Sequence, residues 1–177
     1  MEMIKDRQLK VFDSLKNTFG YKNKMQTPQI EKVVVSTGIG KEKDKQKIQL
    51  IQDRLAKITG QKVSPRPAKK SIASFKLREG NIIGFQVTLR GKRAENFLNK
   101  LINIALPRTR DFRGIPKKSV DEMGNLTIGI KEHTIFPETS DEELKNVFGL
   151  SITVVTSASN KEEATKYLET LGFPFQK

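Results

Sequence analysis

The chain has no cysteine and no tryptophan, and only one histidine and two tyrosines among its 177 residues. Without thiols there can be no disulfides and no thiolate zinc site, and nothing points to secretion. His133 stands alone. It cannot build a zinc site without other nitrogen or sulfur ligands, and no partner equips it for acid–base work. It reads as a residue satisfying a hydrogen bond near a strand end. No apolar run approaches the ~20 residues that span a bilayer. The opening MEMIKDRQLKVFDSL has no apolar h-region, so no signal peptide is expected. The expectation is a cytoplasmic protein with no metal, no cofactor and no membrane partner.

Acidic residues are scarce in one place. Residues 1–60 hold 13 basic and 7 acidic side chains, residues 61–118 hold 15 and 3, and residues 119–177 hold 5 and 10. The net charge of +13 therefore comes mostly from the middle third. A folded polyanion binder concentrates cations in this way, because phosphate contacts act by releasing counterions where charge is dense. Any one cation reads equally well as solvated surface; three clusters do not. The stretch SPRPAKKSIASFKLRE (64–79) carries Arg66, Lys69, Lys70, Lys76 and Arg78 against one acid. Arg90, Lys92 and Arg93 follow a strand, and Arg108, Arg110 and Arg113 lie in the loop PRTRDFRGIPKKS.

Hydrophobic spacing supplies the elements. Phe12, Leu15 and Phe19 predict a helix over 3–19, and Ile48, Ile51, Leu55 and Ile58 predict a second over 44–59. The β-branched QIEKVVVST predicts a strand over 29–37. Short strands are expected at 61–64 and 70–77, around a Pro65/Pro67 turn. Residues 82–90 alternate most clearly: Ile83, Phe85, Val87 and Leu89 face one way, and Gly84, Gln86, Thr88 and Arg90 the other. A helix over 92–106 should end at Pro107. Strands at 125–132 and 150–157 precede a last helix capped by Ser159 or Asn160. This order predicts an α+β fold: a mostly antiparallel sheet, helices packed on one face, the other face open for RNA. One domain over 1–177 is expected, with a protruding basic loop at about 64–81.

Enzyme signatures are missing. Gly38-Ile39-Gly40-Lys41 lacks the spacing and the Ser or Thr of a phosphate loop. Asp141, Glu142 and Glu143 follow Ser140 as in a capped helix start, a better reading than a Mg²⁺ site. KEKDKQK (41–47) alternates in sign like a solvated helix entry. With few aromatics on the polar strand face, no stacking platform for single strands is visible there, which favours recognition of a folded RNA by shape.

Several segments together resemble a known family: PQIEKVVVSTGIG (28–40), ITGQK (58–62), AKKSIASFKLREG (68–80), IGFQVTLRG (83–91), ALPRTRDFRG (105–114), FPE (136–138) and the terminal GFPFQK. In order and spacing they look like bacterial large-subunit ribosomal protein five. The resemblance implies a structural protein of the central protuberance that binds 5S rRNA through the open sheet face. By position, Ser36, Gln61, Thr88 and Arg90 would make those contacts, with Lys92 and Arg93 beside them. Ser36 stands where the family usually has Asn, a shorter group that cannot bond bidentately. The resemblance also implies that the arm bearing Arg66, Lys69, Lys70, Lys76 and Arg78 reaches the P-site tRNA elbow, with Ile72, Phe75 and Leu77 fixing it to the sheet. Arg108, Arg110 and Arg113 would add rRNA or bridge contacts, and 23S rRNA and neighbouring large-subunit proteins are further implied partners. Glu138, Asp141 and Glu142 would face a basic small-subunit head protein, number thirteen, across an intersubunit bridge. Two other readings stand beside this one: an RNA-processing or RNA-modifying enzyme on a basic α+β scaffold, and an electrostatic adaptor for acidic partners.

Overall fold

The computed structural model describes residues 3–40, 42, 44–140 and 146–176. Its elements are α1 (Ile4–Phe19), β1 (Ile30–Gly38), α2 (Lys45–Thr59), β2 (Ser64–Pro67), β3 (Ile82–Leu89), α3 (Lys92–Lys100), β4 (Leu126–Ile130), β5 (Leu150–Thr156) and α4 (Lys161–Leu171). The strands form one five-stranded antiparallel sheet in the order β2-β3-β1-β5-β4, an α+β fold. Along β1, β3 and β5 the side chains alternate between buried and half-buried, as a sheet with one face in the core requires.

The chain forms two compact units. The first comprises residues up to Val33, Arg90–Ile128 and the chain from Thr153 onward. There α1 packs on α4 and α3, burying Ile4, Val11, Leu15, Phe97, Leu98, Tyr167 and Leu168. Arg7 reaches across α1, and its Nη1 donates to the carbonyl of Leu171 at 2.8 Å, satisfying an acceptor at the end of α4. The C-terminal segment runs beside residues 114–115: the Ile115 N–H donates to Pro174 O at 2.7 Å and the Gln176 N–H to Ile115 O at 2.9 Å.

The second unit comprises Val34–Leu89 and Gly129–Ile152. Here α2 packs on β3 through the predicted stripe, with Ile51, Leu55 and Ile58 buried. His133 is buried in this unit. Its Nδ1 accepts the Phe148 N–H at 3.3 Å, and its ring stacks on Phe148 at 4.0 Å between centroids, so it makes the kind of hydrogen bond read from the sequence. Lys47 pairs with Glu42 at 2.9 Å and Asp44 caps α2, as expected of a solvated helix entry; Lys41 and Lys43 lie outside the described residues.

Three expectations are corrected. The prolines do not form a turn: Pro65 and Pro67 lie within β2, which pairs antiparallel with β3 (Ser64 opposite Gln86, Arg66 opposite Gly84). An edge strand tolerates residues that lack an N–H donor. Residues 70–77 are not a strand but a single bridge, Ile72 to Leu77, around the 3₁₀ turn Ala73–Phe75. Pro107 does not stop its helix. After Lys100 the helix widens into a π turn, Leu101–Ala105, and continues through Leu106–Arg108. Proline crowds the carbonyl four residues back, and a widened turn relieves that clash. Asn160, one of the two expected caps, is the N-cap of α4, though its side chain makes no capping bond. The Glu163 carboxylate instead accepts the Ser159 N–H at 2.8 Å.

Candidate nucleic-acid interface

In the second unit, the side chains of β1 and β3 that point away from the core are the polar Ser36, Gln86 and Thr88 together with the apolar Val34 and Ile82. Ser36, Gln86 and Thr88 are half-buried. The Gln61 carboxamide is fixed beside them: its Nε2 donates to the Thr88 carbonyl at 3.1 Å. The residue types explain the positioning. Gly60, at the end of α2, turns the chain so that residue 61 runs back toward β3, and the β3 alternation puts Thr88 opposite Val87 and Leu89. Gly84 lets β3 approach β1 closely, since a Cβ there would sit 2.9 Å from the Thr37 carbonyl oxygen.

Hydrogen bonding separates the two faces. The buried threonine hydroxyls are bonded: Thr37 donates to Gly149 O at 2.7 Å, Thr59 to Leu55 O at 2.8 Å, Thr139 to His133 O at 2.9 Å and Thr156 to Gly124 O at 2.7 Å. Among the described residues, the hydroxyls of Ser36 and Thr88 and the Gln86 carboxamide have no protein partner. Half-buried polar groups without partners are what a polar ligand surface presents before its ligand arrives. Gln86 did not stand out as a site residue in the sequence. Only its place in the β3 alternation signals it.

In the first unit, Arg90, Lys92 and Arg93 are exposed at the start of α3. Gly91 makes the sharp strand-to-helix turn with φ 55° and ψ −138°, a conformation open to glycine. No side chain caps this helix end, so its first N–H groups and the cations together favour anionic oxygen. Arg108, Arg110 and Arg113 are also exposed in this unit, and Asp111 between them takes a left-handed φ of 55°.

The arm cations Arg66, Lys69, Lys70, Lys76 and Arg78 are all exposed. Among the described residues neither they nor Arg90, Lys92, Arg108, Arg110 and Arg113 form an ion pair with a carboxylate. Of the apolar residues expected to fix the arm, Leu77 is half-buried, but Phe75 and Ile72 are not covered. Phe75 is 77% exposed and Ile72 42%, because the 3₁₀ turn carries them outward rather than toward the sheet. Glu138 is exposed; Asp141 and Glu142 lie outside the described residues. No cluster of three or more His, Cys, Asp or Glu able to hold a metal occurs among the described residues, and no helix there is long and apolar enough to cross a membrane.

Comparison with known proteins gives one family. Residues 82–175 match the C-terminus of the ribosomal protein L5 family, and residues 23–78 match Ribosomal protein L5. The large ribosomal subunit protein uL5 of Sulfurimonas denitrificans is 46% identical, covering 100% of this chain and 98% of its own. That of Trichlorobacter lovleyi is 49% identical over 99% of each chain, and that of Mesoplasma florum 50% identical over 89% of this chain and 88% of its own. With family matches on both halves and relatives near half identity along the whole length, the chain belongs to the ribosomal protein L5 family of the large ribosomal subunit.

Proposed function

We propose that the chain holds 5S rRNA in the central protuberance as a single RNA-binding domain. Family membership makes it a structural, non-enzymatic component of the ribosome, located in the cytoplasm. In the proposed assembly, Ser36, Gln61, Gln86 and Thr88 of the second unit meet riboses and base edges of the prefolded 5S rRNA. Arg90, Lys92 and Arg93 of the first unit neutralise its phosphates. The arm from Arg66 to Arg78 meets P-site tRNA. Arg108, Arg110 and Arg113 add rRNA or bridge contacts. The stretch bearing Glu138, Asp141 and Glu142 meets the basic head protein thirteen of the small subunit.

One observation carries this reading: half-buried hydroxyls and a carboxamide on β1 and β3 lack protein partners, while the buried threonine hydroxyls are bonded. Solvated decoration would sit in the open, and core groups would be satisfied. The test is hydroxyl-radical footprinting of 5S rRNA with the purified chain at physiological salt. One compact protected patch that Thr88→Ala thins is the expected result. Uniform weak protection, equal to that seen with heparin as competitor, contradicts it.

A further inference from the structure

The arm between β2 and β3 is a built turn. The Ile72 and Leu77 main chains exchange N–H···O bonds at 3.0 and 3.1 Å. The Ala68 N–H donates to Asn81 O at 2.8 Å, the Gly80 N–H to Ala68 O at 3.0 Å, and the Glu79 N–H to Ser71 Oγ at 2.9 Å. Lys76 closes the 3₁₀ turn in the left-handed region, φ 50°, its N–H on Ala73 O at 3.0 Å. This network fixes the main chain on either side of Phe75, yet leaves its ring 77% exposed. A lone exposed apolar side chain needs no explanation on an ordinary surface. Here the ring is held out by a hydrogen-bonded turn, with Lys69, Lys70, Lys76 and Arg78 exposed on the same arm and unpaired.

An aromatic face among cations matches a partner that offers flat π-surfaces along a phosphate chain. Nucleobases stack on phenyl rings, and the neighbouring cations meet the backbone that carries them. A protein partner would have to be strongly acidic around an apolar pocket. We infer that Phe75 is a stacking platform for an unpaired nucleobase at a bend or loop of the RNA that the arm meets. The site is pre-organised, so little ordering of the arm opposes binding. This deepens the proposed tRNA contact and rests on it.

The test measures anisotropy of a labelled tRNA transcript with the full-length chain, as a function of salt. Stacking on one base corresponds to roughly fivefold to 150-fold in affinity. Phe75→Ala and Phe75→Leu should both weaken binding, by about tenfold, and Phe75→Tyr should bind within about twofold of the parent chain. The slope of log K against log salt should not change for any of the three, because no phosphate contact is lost. Lys76→Gln should reduce that slope by about 0.7–0.9. Thermal midpoints of all four should match the parent, since the side chains are exposed. Parent-like binding by Phe75→Ala overturns the inference alone. So does parent-like binding by Phe75→Leu, which would point to a merely apolar contact such as a protein surface offers. No binding of the transcript by the parent chain, or equal binding to a blunt RNA duplex, overturns the tRNA reading and the inference with it.

Discussion

Replacing Gly84 by Ala tests the close approach of β3 to β1. The added Cβ would lie 2.9 Å from the Thr37 carbonyl oxygen and 3.9 Å from the Gly38 Cα. Ordinary carbon–oxygen contact needs several tenths of an ångström more, and the obstacle is main chain, not a flexible side-chain end. The strands must separate locally, as in an overpacked core, at a cost of about 1–3 kcal/mol. With a urea m-value of about 1–3 kcal/mol per molar, the unfolding midpoint should fall by roughly 0.5–1.5 M at unchanged slope. Gly129→Ala is the control. Gly129 lies in β4 with ordinary φ and nothing within 4 Å of the new methyl, so the midpoint should hold or rise slightly. An unchanged midpoint for Gly84→Ala, with Gly129→Ala also unchanged, would refute the tight approach. It would also remove the reason for a small residue on this strand face.

Gln61→Ala removes the bond to the Thr88 carbonyl, and should cost about 0.5–1.5 kcal/mol of stability by chemical denaturation. Arg7→Ala leaves the Leu171 carbonyl without its donor and should lower the thermal midpoint by a few degrees, read by calorimetry. Burial first, and then the adjacent Glu163 carboxylate that accepts its hydrogen bond, push the Tyr21 phenol above its usual range. The unfolded chain therefore loses this proton first as pH rises. Stability should fall above about pH 10, and Tyr21→Phe should flatten that fall in pH-dependent unfolding.

Much of the fold is readable because burial imposes a period. The β3 alternation is visible in its residues, and the α2 stripe needs only Ile51, Leu55 and Ile58 to declare its inner face. The period fails where main-chain geometry decides instead. Nothing in Ile72, Phe75 or Leu77 announces that a 3₁₀ turn closed by a left-handed Lys76 will hold Phe75 outward. The π turn at Leu101–Ala105 likewise leaves the apolar pattern intact while carrying the helix past Pro107. The site shows the same division. Thr88 and Arg90 follow from alternation, and Ser36 and Gln61 come through the family resemblance. The missing hydrogen-bond partners of Ser36, Gln86 and Thr88 need three-dimensional neighbours to be seen.

The proposed docking of Ser36, Gln86 and Thr88, with the cations that follow β3, on prefolded 5S rRNA has a direct test. The most direct measurement is the equilibrium affinity of the Thr88→Ala, Arg90→Ala double variant for 5S rRNA at physiological salt, beside a chain with Lys69, Lys70 and Lys76 changed to Gln. Each of the first two changes should cost about 1–3 kcal/mol of binding, and the lysine variant should bind nearly as the parent chain does. Parental affinity in the double variant, or collapse of 5S binding in the lysine variant, would contradict it.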